Sequence, residues 1–371
     1  MAEPLINQYG PEIPRQIAAQ IKAVASEFQD QAFIDSALAG YEKLDLMARG
    51  KQLAKTLHAY LPPNYEEAID LLVASMGPRL ERDMGNGMAP FIYLPHSFYI
   101  ANYGLNHFEA SMQAIYQLTK RFTGEFCIRP FLEQHTQATL ERLHLWADDD
   151  CHYVRRLVSE GPRPRLPWAS HLQVFKENPT PVLELLEKLK DDPELYVRRS
   201  VANNLNDIGK DHPSLLLATT KSWLKNADAN RQWLIRHALR SLVKQSHPQA
   251  LEQLGYGQTP QVEVTQVSFT PKSIKLGETV ELSFELLSAS KEPQKLLIDF
   301  CVYFVKANGT TSSGKVFKLK TLTLAANSSE LLKKNISFAK INTRKHYPGE
   351  HQVELLINGK SYPLGSFLVT S

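Results

Sequence analysis

Two stretches of this 371-residue chain combine residue types suited to charge-based chemistry. The first is VRRLVSEGPRPRLPW, residues 154–168, an amphipathic helical start that breaks at Gly161-Pro162 and runs into Arg163, Arg165 and Trp168. Glu160 falls at the end of that predicted helix, where the macrodipole disfavours negative charge by about 0.3–1 kcal/mol. A carboxylate there has one of two reasons: a salt bridge to Arg156 or Arg163, or a place in a site. Arg163 and Arg165 lie in a proline-stiffened loop that preorganises a guanidinium to meet an anion. Trp168 either plugs a helix interface or offers its π-face to a cation. The second stretch is LTKRFTGEFCIRPF, where Thr123 reads as an N-cap and Glu125 as a first-turn acid. Asp148, Asp149 and Asp150 read as helix N-terminal charge in the same way. No phosphate loop, metal-ligand cluster or nucleophile elbow is present; CxxC, HExxH and GxSxG are all missing.

The elements that must position these residues are helices. Over residues 11–250 apolar positions recur at threes and fours, as in Ile17, Ile21, Val24 and Phe28. Prolines punctuate the run at Pro62-Pro63, Pro78, Pro193 and Pro213, and Thr180-Pro181 reads as an N-cap followed by proline. The pattern around Val154-Arg155-Arg156 returns at Val197-Arg198-Arg199 and, more weakly, at Ile235-Arg236-His237. The intervals, 43 and 38 residues, suit paired HEAT-type helices, which stack into a solenoid. Arg155 and Arg198 hold the place where arginines and aspartates commonly tie adjacent repeats, with phosphate contact as the second reading. Val197, Val201, Leu205 and Ile208 carry the second copy for three turns, whereas Gly161 and Pro162 cut the first copy short. Glu160 aligns with Asn203 and Ser241, so the repeat itself requires no acid there.

Near residues 255–262 the period changes from helical to two. Seven alternating segments, from VEVTQVSF to GSFLVT, predict an antiparallel β-sandwich of immunoglobulin type. The expected division is a helical domain over 1–258 and a sandwich over 259–371. Residues 1–259 carry 28 Lys+Arg against 30 Asp+Glu, and residues 260–371 carry 14 against 9, nets of −2 and +5. The basic excess of the last part suits an anionic partner, through Lys318, Lys320, Lys333, Lys334, Arg344 and Lys345. The competing reading is that these cations guard exposed strand edges. Cys127, Cys151 and Cys301 are odd in number and far apart, which argues for a reducing compartment without disulfides or a zinc site. No apolar run is long enough to span a membrane, and the N-terminus has no signal-peptide pattern.

The blocks LTKRFTGEFCIRPFL and VRRLVSEGPRPRLPWA, set among HEAT-like helices, resemble the AlkC branch of the HEAT-repeat alkylpurine DNA glycosylases. The resemblance covers most of residues 10–250, and the immunoglobulin-like extension of some members matches residues 260–371. It implies excision of cationic N3-alkylated bases, 3-methyladenine and 3-methylcytosine, from duplex DNA. Such a base is already a good leaving group, and its departure passes through an oxocarbenium-like sugar. The site then needs anionic and π-electron density beside the deoxyribose and a held water, more than acid catalysis. By resemblance, Glu125, Glu160 and Trp168 supply that environment, while Arg156 and Arg163 hold flanking phosphates and orient Glu160. Arg165 and Arg199 join them as DNA contacts. No lysine of either block is assigned as a nucleophile, so a monofunctional hydrolase acting without base flipping is expected. No cofactor or metal is implied. The implied setting is a monomer in the bacterial cytoplasm, at the nucleoid, with alkylated double-stranded DNA as partner. The alternative is a non-catalytic HEAT scaffold that binds DNA or a protein. The early helices, residues 10–110, receive no role beyond packing.

Overall fold

A computed structural model describes residues 4–80, 89–341 and 344–371. Helices fill the chain as far as Gln253. They begin with α1 (Glu12–Val24), α2 (Asp30–Leu38), α3 (Leu46–Tyr60), α4 (Tyr65–Ser75), α5 (Leu94–Tyr103) and α6 (Phe108–Thr119). The middle set is α7 (Arg129–Gln134), α8 (Thr136–Trp146), α9 (His152–Glu160), α10 (Gln173–Glu177), α11 (Thr180–Leu189) and α12 (Leu195–Ile208). The last are α13 (Pro213–Trp223), α14 (Ala229–Ala238), α15 (Arg240–Lys244) and α16 (Pro248–Gln253). Side-chain caps start two of them: Asp45 accepts from the Ala48 N–H at 2.8 Å, and Asn64 from the Glu67 N–H at 3.1 Å.

Two compact units result, one of residues 1–212 with 227–238, the other of 213–226 with 239–371. The change from helix to strand lies between Gln253 and Val262, but the units do not divide there, because α13, α15 and α16 belong with the sandwich. In the first unit α9 packs on α12, and α12 on α14. α9 buries Val154, Leu157 and Val158; α12 buries Val197, Val201, Leu205 and Ile208. The predicted three-turn face of the second repeat is therefore present. Arg155 bonds Asp192 at 2.6 Å, and Arg198 bonds the Asp192 and Pro193 carbonyls and Asn230, the inter-repeat ladder the sequence suggested.

α9 ends at Glu160 for a local reason. Gly161 still donates to the Leu157 carbonyl at 2.8 Å, but Pro162 has no N–H with which to continue. Two predicted caps shift. Thr180 is the first residue of α11 rather than its cap, which is Pro179. Thr123 caps no helix either, since residues 125–127 form a turn and α7 starts only at Arg129.

Among the described residues the second unit carries eight strands rather than seven. A three-stranded sheet runs β1 (Val262–Thr270), β3 (Thr279–Ser288), β6 (Ser329–Ser337). The five-stranded sheet runs β2 (Ser273–Lys275), β8 (Lys360–Thr370), β7 (Gly349–Ile357), β4 (Gln294–Tyr303), β5 (Lys315–Leu324). β2 is the strand the sequence did not suggest: three residues are too few to show a period, and it pairs parallel to β8 in an otherwise antiparallel sheet. Phe284, Ile298, Val302, Phe338, Leu355 and Phe367 form part of the shared core between the sheets.

Candidate active site

Three segments of the first unit meet at the C-terminal end of α9: the 123–128 turn, the loop from Gly161 to Leu172, and one face of α12. That face holds Ser200, Asn204 and Asp207, all buried, at the i, i+4, i+7 spacing of a helical stripe. Glu160 is only 6% exposed. Its Oε1 accepts from Arg163 Nη1 at 2.7 Å and faces Arg156 Nη2 at 3.4 Å, and its Oε2 accepts from Ser200 Oγ at 2.6 Å. Burial alone would raise the Glu160 carboxyl, but Arg156 and Arg163 outweigh it and hold the group below the ordinary glutamate range.

Arg156 is the junction between the two candidate acids. Its Nη1 bonds Glu125 and, at 3.0 Å, Thr123 Oγ1, while Thr123 in turn donates to Glu125. The ring of Tyr196 lies 5.0 Å beneath its guanidinium carbon. Burial opposes the Arg156 charge, and Glu125, Tyr196 and Glu160 more than restore it. Arg163 spans Glu160 and Asp207, the latter at 2.8 Å from both Nε and Nη2. Lys210 reaches the other Asp207 oxygen at 2.9 Å. The inner network thus sets Glu125, Glu160 and Asp207 against Arg156 and Arg163, and Lys210 meets the third carboxylate from a more exposed position.

Trp168 follows a different logic. It is 67% exposed, so it plugs no repeat interface, and its φ of +66° lies in the left-handed region. A bulky residue held there costs roughly 1–3 kcal/mol and persists only where its surroundings dictate the backbone. The loop around it, with prolines at 162, 164 and 167, bears an open indole on the surface.

The remaining predicted residues divide. Arg156 and Arg163 are turned inward, and their donors serve carboxylates. Arg165 forms a two-bond pair with Asp211, at 2.9 and 2.6 Å. Arg199 is exposed on α12. Lys120, the lysine of the first block, is buried with Nζ 3.7 Å from the Tyr116 ring centroid. In the other unit, Lys318 and Lys320 lie on β5 and Lys333 and Lys334 on β6, the edge strands of their sheets. Lys320 pairs with Glu330 at 2.7 Å, and Lys333 with Glu281 at 3.1 Å. Among the described residues no group of three or more His, Cys, Asp or Glu is placed to hold a metal ion. Among them, too, no helix is long and apolar enough to cross a membrane.

Sequence reasoning passed over Ser200, Asp207, Tyr196 and Arg129. The stripe on α12 was readable only as polar residues flanking the apolar face of Val197, Val201, Leu205 and Ile208. Arg129 was readable as a cation at a helix start, the end where the dipole disfavours it.

Comparison with known proteins agrees with this architecture. Residues 123–242 match the family model described as DNA alkylation repair enzyme, and residues 263–371 that of the YhaZ C-terminal Ig-like domain. The uncharacterized protein YhaZ of Bacillus subtilis (strain 168) is 36% identical over 353 residues, 95% of each chain. A solved structure of the Pseudomonas fluorescens alkylpurine DNA glycosylase AlkC, bound to DNA containing an abasic site analog, is 39% identical. It covers 100% of both chains with a TM-score of 0.92.

Proposed function

Because the chain belongs to the AlkC-type DNA alkylation repair proteins, with HEAT-like helices followed by an immunoglobulin-like domain, we propose that it is a monofunctional glycosylase. Its substrates on this reading are cationic N3-alkylated bases, 3-methyladenine and 3-methylcytosine, in duplex DNA. The observation that carries the reading is the convergence of Glu125 and Glu160 on Arg156, next to a loop that exposes Trp168 in a strained backbone.

The proposed mechanism follows from charge. An N3-alkylated base carries its own positive charge, so its bond to the sugar breaks with little help from an acid. As it departs, positive charge builds on the deoxyribose. Fixed carboxylates stabilise that charge most where water is excluded and where they need not reorganise. Glu160, kept ionised by two arginines and aligned by Ser200, meets this requirement at neutral pH. Glu125, tied to Thr123 and Arg156, is the second carboxylate. The base leaves as a neutral molecule with the electron pair of the glycosidic bond, and the water that adds to the sugar carbon in this scheme gives its proton to one of the two carboxylates. The indole of Trp168 adds π-density against the cationic base. A surface indole suits a lesion approached in the duplex more than a base drawn into an enclosed pocket.

The test is release of free base. Duplex DNA carrying 3-methyladenine should lose it to the full-length chain, and neutral uracil should stay in place. DNA binding without base release would favour a non-catalytic scaffold. Efficient uracil excision would overturn the electrostatic mechanism while leaving a glycosylase.

A further inference from the structure

Arg129 is 3% exposed, forms no salt bridge among the described residues, and spends its guanidinium on backbone carbonyls. Nη1 donates to the carbonyls of Gly161 and Arg163, each at 2.9 Å, and Nη2 to that of Ser170 at 2.5 Å. These three acceptors bracket Trp168 on the 161–172 loop. The loop needs outside donors: Gly161, Pro162, Arg163 and Pro164 are buried, and the prolines bring no N–H to meet their own carbonyls. One of the few internal ties is the Leu172 N–H to the Pro164 carbonyl at 3.1 Å. The helix dipole does not explain the arginine, since a cation at the start of α7 opposes it. Burial pushes its guanidinium down to about 10; Glu133, Asp207 and Glu125 oppose that shift and Arg163 adds to it. A planar fork with fixed donor directions is the side chain able to bridge three carbonyls at once.

We propose that Arg129 is a positioning residue for base excision: it holds both sides of the Trp168 loop together, setting where the indole stands, and through the Arg163 backbone it holds the segment that orients Glu160. This rests on the glycosylase reading above. Misplacement of a reacting group by about 1 Å costs on the order of 100-fold in rate.

The test compares Arg129→Lys and Arg129→Gln with the unaltered full-length chain. Arg129→Lys keeps the charge, but a single ammonium cannot reproduce the fork; it carries the test should Arg129→Gln fail to fold. Three quantities are read: single-turnover release of 3-methyladenine at saturating protein, affinity for duplex containing an abasic-site analogue, and acrylamide quenching of tryptophan fluorescence. Of the four tryptophans, Trp146 and Trp223 are buried and Trp233 is half-buried against His237, so the Trp168 contribution is read as the difference from a Trp168→Phe control. The expected result is a rate about 100-fold lower, affinity changed by less than about threefold, and altered quenching. In a Trp168→Ala background, adding Arg129→Lys should cost much less than it does alone, because the two act as one unit. A normal rate with a lowered melting temperature would overturn the proposal and leave Arg129 a packing residue. If the unaltered chain releases no base but Arg129→Lys still changes quenching, the glycosylase reading fails and the hold on the loop stands.

Discussion

At the scale of single residues, Glu160 and Arg129 each sit at the helix end that disfavours their charge, and each finds partners in another segment, Arg129 through its two terminal nitrogens and not through Nε. The energetic consequence for Glu160 is that chemistry and folding are not separable by substitution alone. Glu160→Gln retains the shape but removes a charge that two buried arginines face, although Arg156 keeps Glu125 and Arg163 keeps Asp207. The expected loss of stability is about 1–3 kcal/mol, read by denaturant unfolding. The expected loss of single-turnover rate, measured well below the melting transition, is about 100-fold or more. A rate that falls only with the folded fraction would make Glu160 purely structural. Acid adds a second readout. The folded carboxyl titrates below its unfolded value, so its stabilisation is complete above the usual glutamate value of about 4.3. It is lost as pH falls through the depressed value. The stability gap between the native chain and Glu160→Gln should therefore close below about pH 4.

At the scale of elements, the site exists because one repeat is incomplete. α12 runs on to Ile208, whereas α9 stops at Glu160 and releases the chain into the loop that bears Arg163 and Trp168. Pro162 ends the helix, and Gly161 lets that end press against the turn carrying Glu125. A Cβ at Gly161 would stand 2.8 Å from Ile128 Cγ2 and 3.1 Å from the Leu157 carbonyl oxygen. Its φ of −57° is open to any residue, so the constraint is space and not backbone strain. Gly161→Ala is expected to destabilise the chain by about 1–3 kcal/mol through overpacking and to slow excision by moving the two acids apart. Calorimetry and the base-release assay check the two effects. Unchanged stability would show that the turn yields freely and that the close approach is not a constraint.

At the scale of the whole molecule, the charge asymmetry between the −2 and +5 portions of the chain directs attention to the sandwich. Of the cations expected to meet an anionic partner, Lys320 and Lys333 are paired on edge strands, a usual home for protective lysines, whereas Arg344 and Lys345 lie elsewhere. A cavity of about 720 Å³ in the same unit is lined by Lys244, Lys306, Lys315, Arg344 and Lys345, with no acidic residue among the described residues of its wall. Arg344 stacks there on Phe304 at 3.7 Å. If the sandwich attracts DNA phosphates, Lys306→Glu with Lys345→Glu should weaken binding and flatten the dependence of log K on log salt by about 0.9 for every phosphate no longer neutralised. Lys320→Glu with Lys333→Glu should change both much less. The reverse pattern would restore the edge lysines as the DNA-binding residues, and no change from either pair would give the domain some other partner. Full-length protein is the right material, because α13, α15 and α16 belong to the sandwich's unit and a chain ending at residue 258 would strip them of it.

The order of elements was legible in the amino-acid sequence, since periods of 3.6 and 2 are local properties of the chain. Pro162, the repeat spacing and the misplaced Glu160 were equally local, and with the resemblance of the two blocks they pointed to the family. What α9 and its loop meet was decided only in three dimensions. That Arg156 and Arg163 turn inward depends on Glu125 and Asp207, which lie 31 and 44 residues away in the chain. That the loop bearing Trp168 is tied on both sides rests on Arg129, whose guanidinium reaches the Gly161 and Ser170 carbonyls 32 and 41 residues away. The short strand β2 and the unit to which α13 belongs are likewise settled by long-range pairing and packing. Periodicity reports which face of an element is apolar, and it carries no information about which distant charge will neutralise a buried one.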